Sequence, residues 1–295
     1  MKQLAVDCGA DCVVFDNMLA PSQQREWERL IDECVIDREE VILDIFAKRA
    51  RTREATLQVE LARMQYSLPR MARMWSHLDR QGGGSGGGKG GGGAARGEGE
   101  KQIEVDRRLA RARIEAIQKE LVMVTRQRAT QRKERERQAV ATAAIVGYTN
   151  AGKSSLLSLV SGSEVMARDM LFATLDTTTR KIELPNGQPL LLTDTVGFIR
   201  NLPHRLVEAF KSTLEEAVLA DFLVQVVDAS DPEAVRHYET TLEVLAELGA
   251  GDKPMIVVLN KLDLVPEEER AALTERLAPH FNGSLVCMSV REEKG

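Results

Sequence analysis

The sequence predicts an α/β chain. Its second half reads as a doubly wound, mostly parallel sheet, preceded by a partial small α/β domain and a long antiparallel helical hairpin. Three observations carry this reading. Residues 147–154 read GYTNAGKS between an apolar run, Ala141–Val146, and a helix start over Ser154–Val160. From Ala141 onward, strand-like and helix-like segments alternate, the pattern of a doubly wound sheet. Upstream, two amphipathic stretches with matching apolar stripes flank a run dominated by glycine.

The elements follow in order. Cys12–Phe15 and Val35–Ile36 read as short strands, with a helix from about Gln23 to Ile31 that Ser22 is placed to cap. Glu39–Gln65 reads as one long helix, its stripe carried by Leu57, Leu61, Met64 and Leu68. Pro69 interrupts it, and a short helical piece, Arg70–Leu78, follows. Residues 81–99 are glycine-rich, a composition with no core of its own. Glu100–Arg137 reads as a second long helix, with Ala110, Ile114, Ile117, Leu121 and Val124 spaced to face the first stripe. The domain boundaries expected are 1–37, 38–140 with its tip loop at 81–99, and 141–295.

In the last of these, strands are expected at Ala141–Val146, Lys181–Leu184, Leu190–Thr193, Phe222–Val227, Met255–Leu259 and Leu285–Met288. Pro185-Asn186-Gly187-Gln188 makes a hairpin turn between the second and third. Helices are expected at Ser154–Val160, Leu202–Leu219, Ala234–Leu248 and Glu267–Leu277.

Charge divides the chain. Residues 1–140 carry 26 Lys+Arg against 22 Asp+Glu, a net of +4; residues 141–295 carry 14 against 23, a net of -9. Lys101–Arg137 holds 12 basic residues against 6 acidic, and Lys48, Arg49, Arg51 and Arg53 add a second cluster. RNA phosphate is the natural partner of such a half, although a solvated face laced with ion pairs has the same composition. Cys8, Cys12, Cys34 and Cys287 form no CxxC pair and read as buried free thiols, which fits a reducing cytoplasm. No apolar run approaches the length of a membrane span.

The chemistry sits in ordered motifs. Gly147, Tyr148, Thr149, Asn150, Ala151, Gly152, Lys153 and Ser154 form a complete G-x-x-x-x-G-K-S phosphate loop. Its backbone N–H groups cradle phosphates, Lys153 neutralises them, and the Ser154 hydroxyl is placed for Mg²⁺. Asp194, Thr195, Val196 and Gly197 give D-x-x-G at a strand end, with Asp194 holding Mg²⁺ through water and the Gly197 N–H reaching the γ-phosphate. Asn260, Lys261, Leu262 and Asp263 give N-K-x-D. There the Asp263 carboxylate accepts from guanine N1–H and N2, Lys261 packs on the base, and Asn260 ties the base loop to the phosphate loop. Adenine offers no such donor pair. The order of the three motifs reads as the G domain of a P-loop NTPase. Between the first two, LFATLDTTTR at 171–180 offers Thr174, Thr177, Thr178 and Thr179 as a switch threonine, and spacing does not choose among them.

These residues resemble the HflX family of translation-associated GTPases over nearly the whole chain. LFATLD, DTVGFIRNLPH, VIDREEVILDIFAKRARTREATLQVELA and GEGEKQIEVDRRL are near matches to its characteristic stretches. The resemblance implies that Thr174 is the switch threonine and second Mg²⁺ ligand. It implies that Phe172, Ala173, Thr174, Leu175 and Asp176 lie along the nucleotide. It also implies a cytoplasmic, monomeric GTPase whose hairpin docks on the large (50S) ribosomal subunit and its rRNA, in ribosome splitting, rescue or biogenesis.

Four departures stand out. The chain starts late. The glycine-rich tip is more degenerate than the family's. Ser289, Val290 and Arg291 stand where the last base-binding element ordinarily reads S-A-[KLQ]. The chain stops at Gly295, before a closing helix, so a fragment is expected. Phe198 occupies the place of the water-orienting glutamine of many GTPases, as in the family. Catalysis therefore falls to Lys153, Thr174, the Gly197 backbone and other help, with a slow intrinsic rate. Asn150 occupies the loop position that binds K⁺ in some related GTPases, so K⁺ is a candidate cofactor beside Mg²⁺. Two other readings stand beside this one: a nucleotide-sensing RNA-binding module with negligible turnover, and an ATP-using RNA remodelling factor.

Overall fold

The computed structural model describes residues 1–71, 94–136, 140–162, 172, 174–200, 202, 203, 206, 210–281 and 283–292, with the side chains of 94–103, 127–136 and 211–213 left aside. The expected piece Arg70–Leu78 and the glycine-rich run 81–99 fall largely outside these residues. The chain divides into two compact units. One comprises Met1–Lys48 and Thr56–Val124, the other Arg49–Ala55 and Thr125–Gly295.

The first unit begins with a helix the sequence reading did not anticipate, α1 (Lys2–Cys8), closed by Gly9 in the left-handed conformation. Strands β1 (Cys12–Phe15) and β2 (Cys34–Asp37) pair in parallel, joined by α2 (Pro21–Ile31). Ala5, Leu19, Ile31 and Val35 form a small core that Trp27 and Phe15 flank. The cap of α2 differs from the expected Ser22. The helix starts at Pro21, whose fixed φ and missing N–H suit a first turn, and Gln23 Oε1 accepts the Ala20 N–H at 2.9 Å.

The long helix expected over Glu39–Gln65 is two helices, α3 (Arg38–Arg49) and α4 (Arg53–Ser67), followed by a 3₁₀ turn at Leu68–Arg70. No proline or glycine marks the break. Within the unit, Leu57 and Leu61 of α4 pack on Ile117 of α5 (Ala94–Glu136), with Met64, Ile114 and Leu121 at the edge. The two apolar stripes therefore meet as expected. Glu60 and Arg113 add a two-pronged ion pair beside them, at 2.8 and 3.1 Å.

A buried polar cluster fastens this unit. Asp37, with no exposed surface, accepts the Leu19 N–H at 3.0 Å and the Glu40 N–H at 3.0 Å, so it caps α3. Arg70 reaches Asp37 Oδ2 at 3.3 Å, Gln24 Oε1 at 2.9 Å and the carbonyls of Leu19 and Tyr66 at 2.6 and 3.1 Å. Its guanidinium lies 3.7 Å over the Tyr66 ring. The Tyr66 hydroxyl sits 3.1 Å from Asp37 Oδ1 and 3.0 Å from Glu40 Oε2. Burial, with these two carboxylates beside it, pushes the phenol well above its ordinary range.

The second unit is the expected sheet. Its strand order is β4-β5-β3-β6-β7-β8: β4 (Thr178–Glu183), β5 (Pro189–Asp194), β3 (Ala141–Gly147), β6 (Phe222–Asp228), β7 (Met255–Asn260) and β8 (Ser284–Cys287). All neighbours are parallel except β4 and β5, which the 185–188 turn joins as a hairpin. Around it lie α6 (Lys153–Ser161), α7 (Lys211–Leu219), α8 (Ala234–Glu247) and α9 (Glu267–Leu277). The central strands read as near-continuous apolar runs, and their residues fill the core on both faces: Ala143, Ile145, Val226 and Val258 toward α6, Val227, Val257 and Leu259 toward α8 and α9.

All four cysteines are free, yet Cys8 and Cys34 are exposed and Cys12 and Cys287 only half-buried. This corrects the expectation of buried thiols. Cys8 ends a helix, Cys12 and Cys34 begin the strands of a small sheet, and Cys287 ends β8 at the sheet's margin. Among the described residues no helix is long and apolar enough to cross a membrane.

Candidate functional site

Loops at the carboxyl ends of β3, β5 and β7 converge, which is where a doubly wound sheet places its ligands. Gly147 leaves β3 at φ 143°, and a Cβ there would collide with the Val226 carbonyl oxygen; one at Gly152 (φ 100°) would collide with the Asn260 amide. Both positions need glycine for backbone reach and for close approach. Asn150 takes a left-handed φ of 62° between them.

Lys153 opens α6 and is buried, with its Nζ 2.8 Å from the Tyr148 carbonyl. Burial pulls its ammonium down to about 8, and Asp194 partly restores it. The same desolvation makes it a strong partner for a phosphate. The Ser154 hydroxyl, the Thr174 hydroxyl and Asp194 Oδ2 form a triangle with sides of 2.5, 2.6 and 2.7 Å. Asp194 Oδ1 is buried with no hydrogen-bond partner among the described residues. Burial raises the carboxyl above the usual carboxylate range, against the pull of Lys153, the two hydroxyls and the nearby Thr195 amide. Two hydroxyls beside one carboxylate, whose other oxygen is buried and unanswered, are hard oxygen donors that fit a Mg²⁺ site. Of the four threonines spacing left open, the structure brings Thr174 to this place; Thr179 bonds across β4–β5 to Thr193 instead.

The D-x-x-G segment is tied to the phosphate loop. Thr149 donates to the Phe198 carbonyl at 2.8 Å, and Phe198 donates to the Gly147 carbonyl at 3.1 Å. Thr195 Oγ1 donates to the Ile145 carbonyl at 2.7 Å, and Val196 is buried. A Cβ at Gly197 would lie 2.8 Å from Thr149 Cα and 3.0 Å from Lys153 Nζ, so only glycine brings this backbone beside the lysine. Phe198 has no exposed surface and points no chemistry at the site.

At β7, Asn260 Nδ2 donates to the Ala151 carbonyl at 2.9 Å, and its Oδ1 accepts the Val290 N–H at 3.1 Å. One side chain thus links the phosphate loop, the N-K-x-D turn and the segment after β8. Ser289 Oγ donates to Asp263 Oδ1 at 2.7 Å and holds that carboxylate in place. Leu262 is buried, its N–H donating to the Met288 carbonyl, and Arg291 is exposed. Lys261 takes a left-handed φ of 64° and pairs with Asp228 Oδ2 at 2.7 Å. Asp228 therefore both shapes its turn through Ser230 and fixes the lysine.

The segment 172–176 meets the site at two points, Phe172 and Thr174. Phe172, buried and at φ 53°, donates its N–H to Thr149 Oγ1 at 3.2 Å. Leu175 is buried, and Ala173 lies outside the described residues. The Asp176 carboxylate turns to the connector between α3 and α4, accepting the N–H of Arg51 at 3.1 Å, the N–H of Thr52 at 3.2 Å and the Thr52 hydroxyl. Sequence reasoning missed Arg51 and Thr52, since nothing local to them points to a partner more than 120 positions away. It also missed the stack of His237 on Tyr148, 3.7 Å between ring centres.

The fold and the order of its loops define a phosphate-loop GTPase domain. Residues 142–261 match the family model described as 50S ribosome-binding GTPase, residues 49–135 the GTP-binding GTPase middle region, and residues 1–47 the GTP-binding GTPase N-terminal region. The chain is 92% identical over its full length to GTPase HflX of Akkermansia muciniphila, spanning 68% of that protein. It is 51% identical to GTPase HflX of Chlamydia pneumoniae, over 86% of the chain and 53% of that protein. The chain belongs to the HflX family of GTPases. Among solved structures, a GTP-binding protein from the hyperthermophilic archaeon Sulfolobus solfataricus in complex with GDP aligns at a TM-score of 0.51 and 26% identity, covering 99% of this chain and 79% of that one.

Proposed function

We propose that this chain binds GTP with Mg²⁺ in the crevice above β3, β5 and β7, hydrolyses it slowly, and uses the nucleotide to set how its helical hairpin docks on the large ribosomal subunit. The observation that supports this most is the three-way tie at Asn260 together with Asp263 held by Ser289. A carboxylate fixed in that loop suits the N1–H and N2 donors of guanine and leaves adenine unpaired.

In this reading Lys153 and the phosphate-loop amides hold the β- and γ-phosphates. Ser154, Thr174 and Asp194, through water, hold the ion. When bound, Mg²⁺ neutralises charge developing on the phosphates. Gly197 presents its N–H to the γ-phosphate, and Thr174 closes the loop over it. Phe198 cannot polarise water, so the intrinsic rate is slow and rises on the ribosome. Asn150 makes a K⁺ contribution testable: equal turnover in KCl and NaCl removes it. On the hairpin, exposed Arg108, Arg111 and Lys119 suit rRNA phosphate.

The experiment is pelleting with isolated large subunits in GTP analogue, GDP and no nucleotide, paired with steady-state turnover. Tighter pelleting in the analogue and faster turnover with subunits are expected. Equal pelleting in all three, with no gain in turnover, overturns the ribosomal reading. Asp263→Asn should move preference from guanine toward xanthine nucleotides; unchanged GTP affinity refutes the base-site assignment.

A further inference from the structure

No proline or glycine causes the break between α3 and α4. Residues 49–55 belong with the second unit, and there they meet the segment that carries Thr174. In an uninterrupted helix the N–H groups of Arg51 and Thr52 would donate to the carbonyls of Ala47 and Lys48. Instead both donate to the Asp176 carboxylate. Thr52 is the cap of α4. Its Oγ1 accepts the Ala55 N–H at 3.2 Å while its own proton goes to Asp176. An anion at this position also faces the positive end of the α4 dipole. Asp176 thus supplies, within the second unit, the acceptor for the connector that precedes α4.

Asp176 stands midway between two points of different character. Two residues after it, Thr178 begins β4 and pairs with Asp194. Two residues before it, Thr174 rests on Ser154 and Asp194. Two residues span about 7 Å at most, so Thr174 cannot leave the triangle without turning the peptides that aim Asp176.

We propose that Asp176 is a relay: with Thr174 drawn into the phosphate and metal site, its carboxylate caps the Arg51–Thr52 connector and fixes the start of α4, and release of Thr174 uncaps it. The relay rests on the GTP reading above and adds a route by which the nucleotide reaches the connector before α4. It is local, passes through the hydrogen bonds of one side chain, and requires no global rearrangement.

The test is amide hydrogen exchange over residues 50–56 in the full chain with GTP analogue, with GDP and without nucleotide, alongside direct measurement of analogue binding. Slower exchange of this segment in the analogue than in GDP is expected. Thr52→Val removes the hydroxyl at both ends of its chain of bonds and should cut that difference about fivefold, the effect of a lost cap, with analogue affinity unchanged. Thr52→Ser should restore it. Asp176→Asn should lessen the difference as well, by weakening the acceptor. Analogue binding with no nucleotide-dependent exchange at 50–56, or a difference that survives Thr52→Val in full, overturns the relay and leaves the GTP reading standing. Failure of the wild-type chain to bind the analogue overturns that reading and the relay with it.

Discussion

The nucleotide crevice and the polar cluster around Asp37 are both built from buried charge, yet they use it in opposite ways. At Asp37 each acceptor is answered: two backbone amides, Arg70 and the Tyr66 hydroxyl surround the carboxylate. At Asp194 one oxygen is crowded by two hydroxyls and the other has no partner among the described residues. The ammonium of Lys153 is likewise buried against a single carbonyl. A satisfied cluster holds a fold together. An unsatisfied one is a site whose missing partners come from a ligand.

That contrast can be broken by mutation. The largest effect is expected at Asp37→Ala, which strands Arg70 in the interior; about 3–5 kcal/mol of stability should go, read as a lowered denaturant midpoint. A loss below about 1 kcal/mol would show that the cluster is not a fastening. Lys153→Ala should do the reverse. It removes a charge-assisted contact and should weaken nucleotide binding on the order of 100-fold, while thermal stability without nucleotide holds or rises, because a desolvated cation has gone. A clear fall in that stability would put Lys153 among the fastenings. Gly197→Ala places a Cβ against Thr149 and Lys153. If the Gly197 amide serves the γ-phosphate as proposed, hydrolysis should slow more than GDP binding weakens; equal losses in both would argue against that role.

The smallest effect sharpens the same distinction through pH. The Tyr66 phenol is raised in the folded chain. The unfolded chain therefore releases this proton first, and stability is intact below about pH 10 and declines above it. Tyr66→Phe should flatten that alkaline decline at a cost of about 1 kcal/mol at neutral pH. An alkaline limb identical in both proteins would assign it to other groups.

The crevice was legible because its chemistry fixes spacing. GYTNAGKS, D-x-x-G and N-K-x-D each sit on one loop, and the alternating pattern that orders those loops is local too. The apolar stripes of α4 and α5 were equally plain, and Leu57, Leu61 and Ile117 meet as their spacing implied. What sequence hid was held by distant partners. Thr52 starts a helix because Asp176 arrives from elsewhere in the chain, and no proline or glycine announces it. Arg70 follows a proline and read only as the start of a short helical piece; its guanidinium closes a buried network drawn from α2, β2 and α4. Nothing local to Asp228 points to its partner Lys261, which lies at the neighbouring strand's end. Periodicity reports burial, and motifs report local chemistry. Neither reports a polar contact across the fold.

The most direct measurement is calorimetric titration of the folded chain with Mg²⁺ and GTP, then with ATP, in matched buffer. GTP should bind at least about 100-fold more tightly than ATP, the discrimination expected of a carboxylate left unpaired by the wrong base. Equal affinity for the two, or no heat from guanine nucleotide at all, would contradict the account at its root.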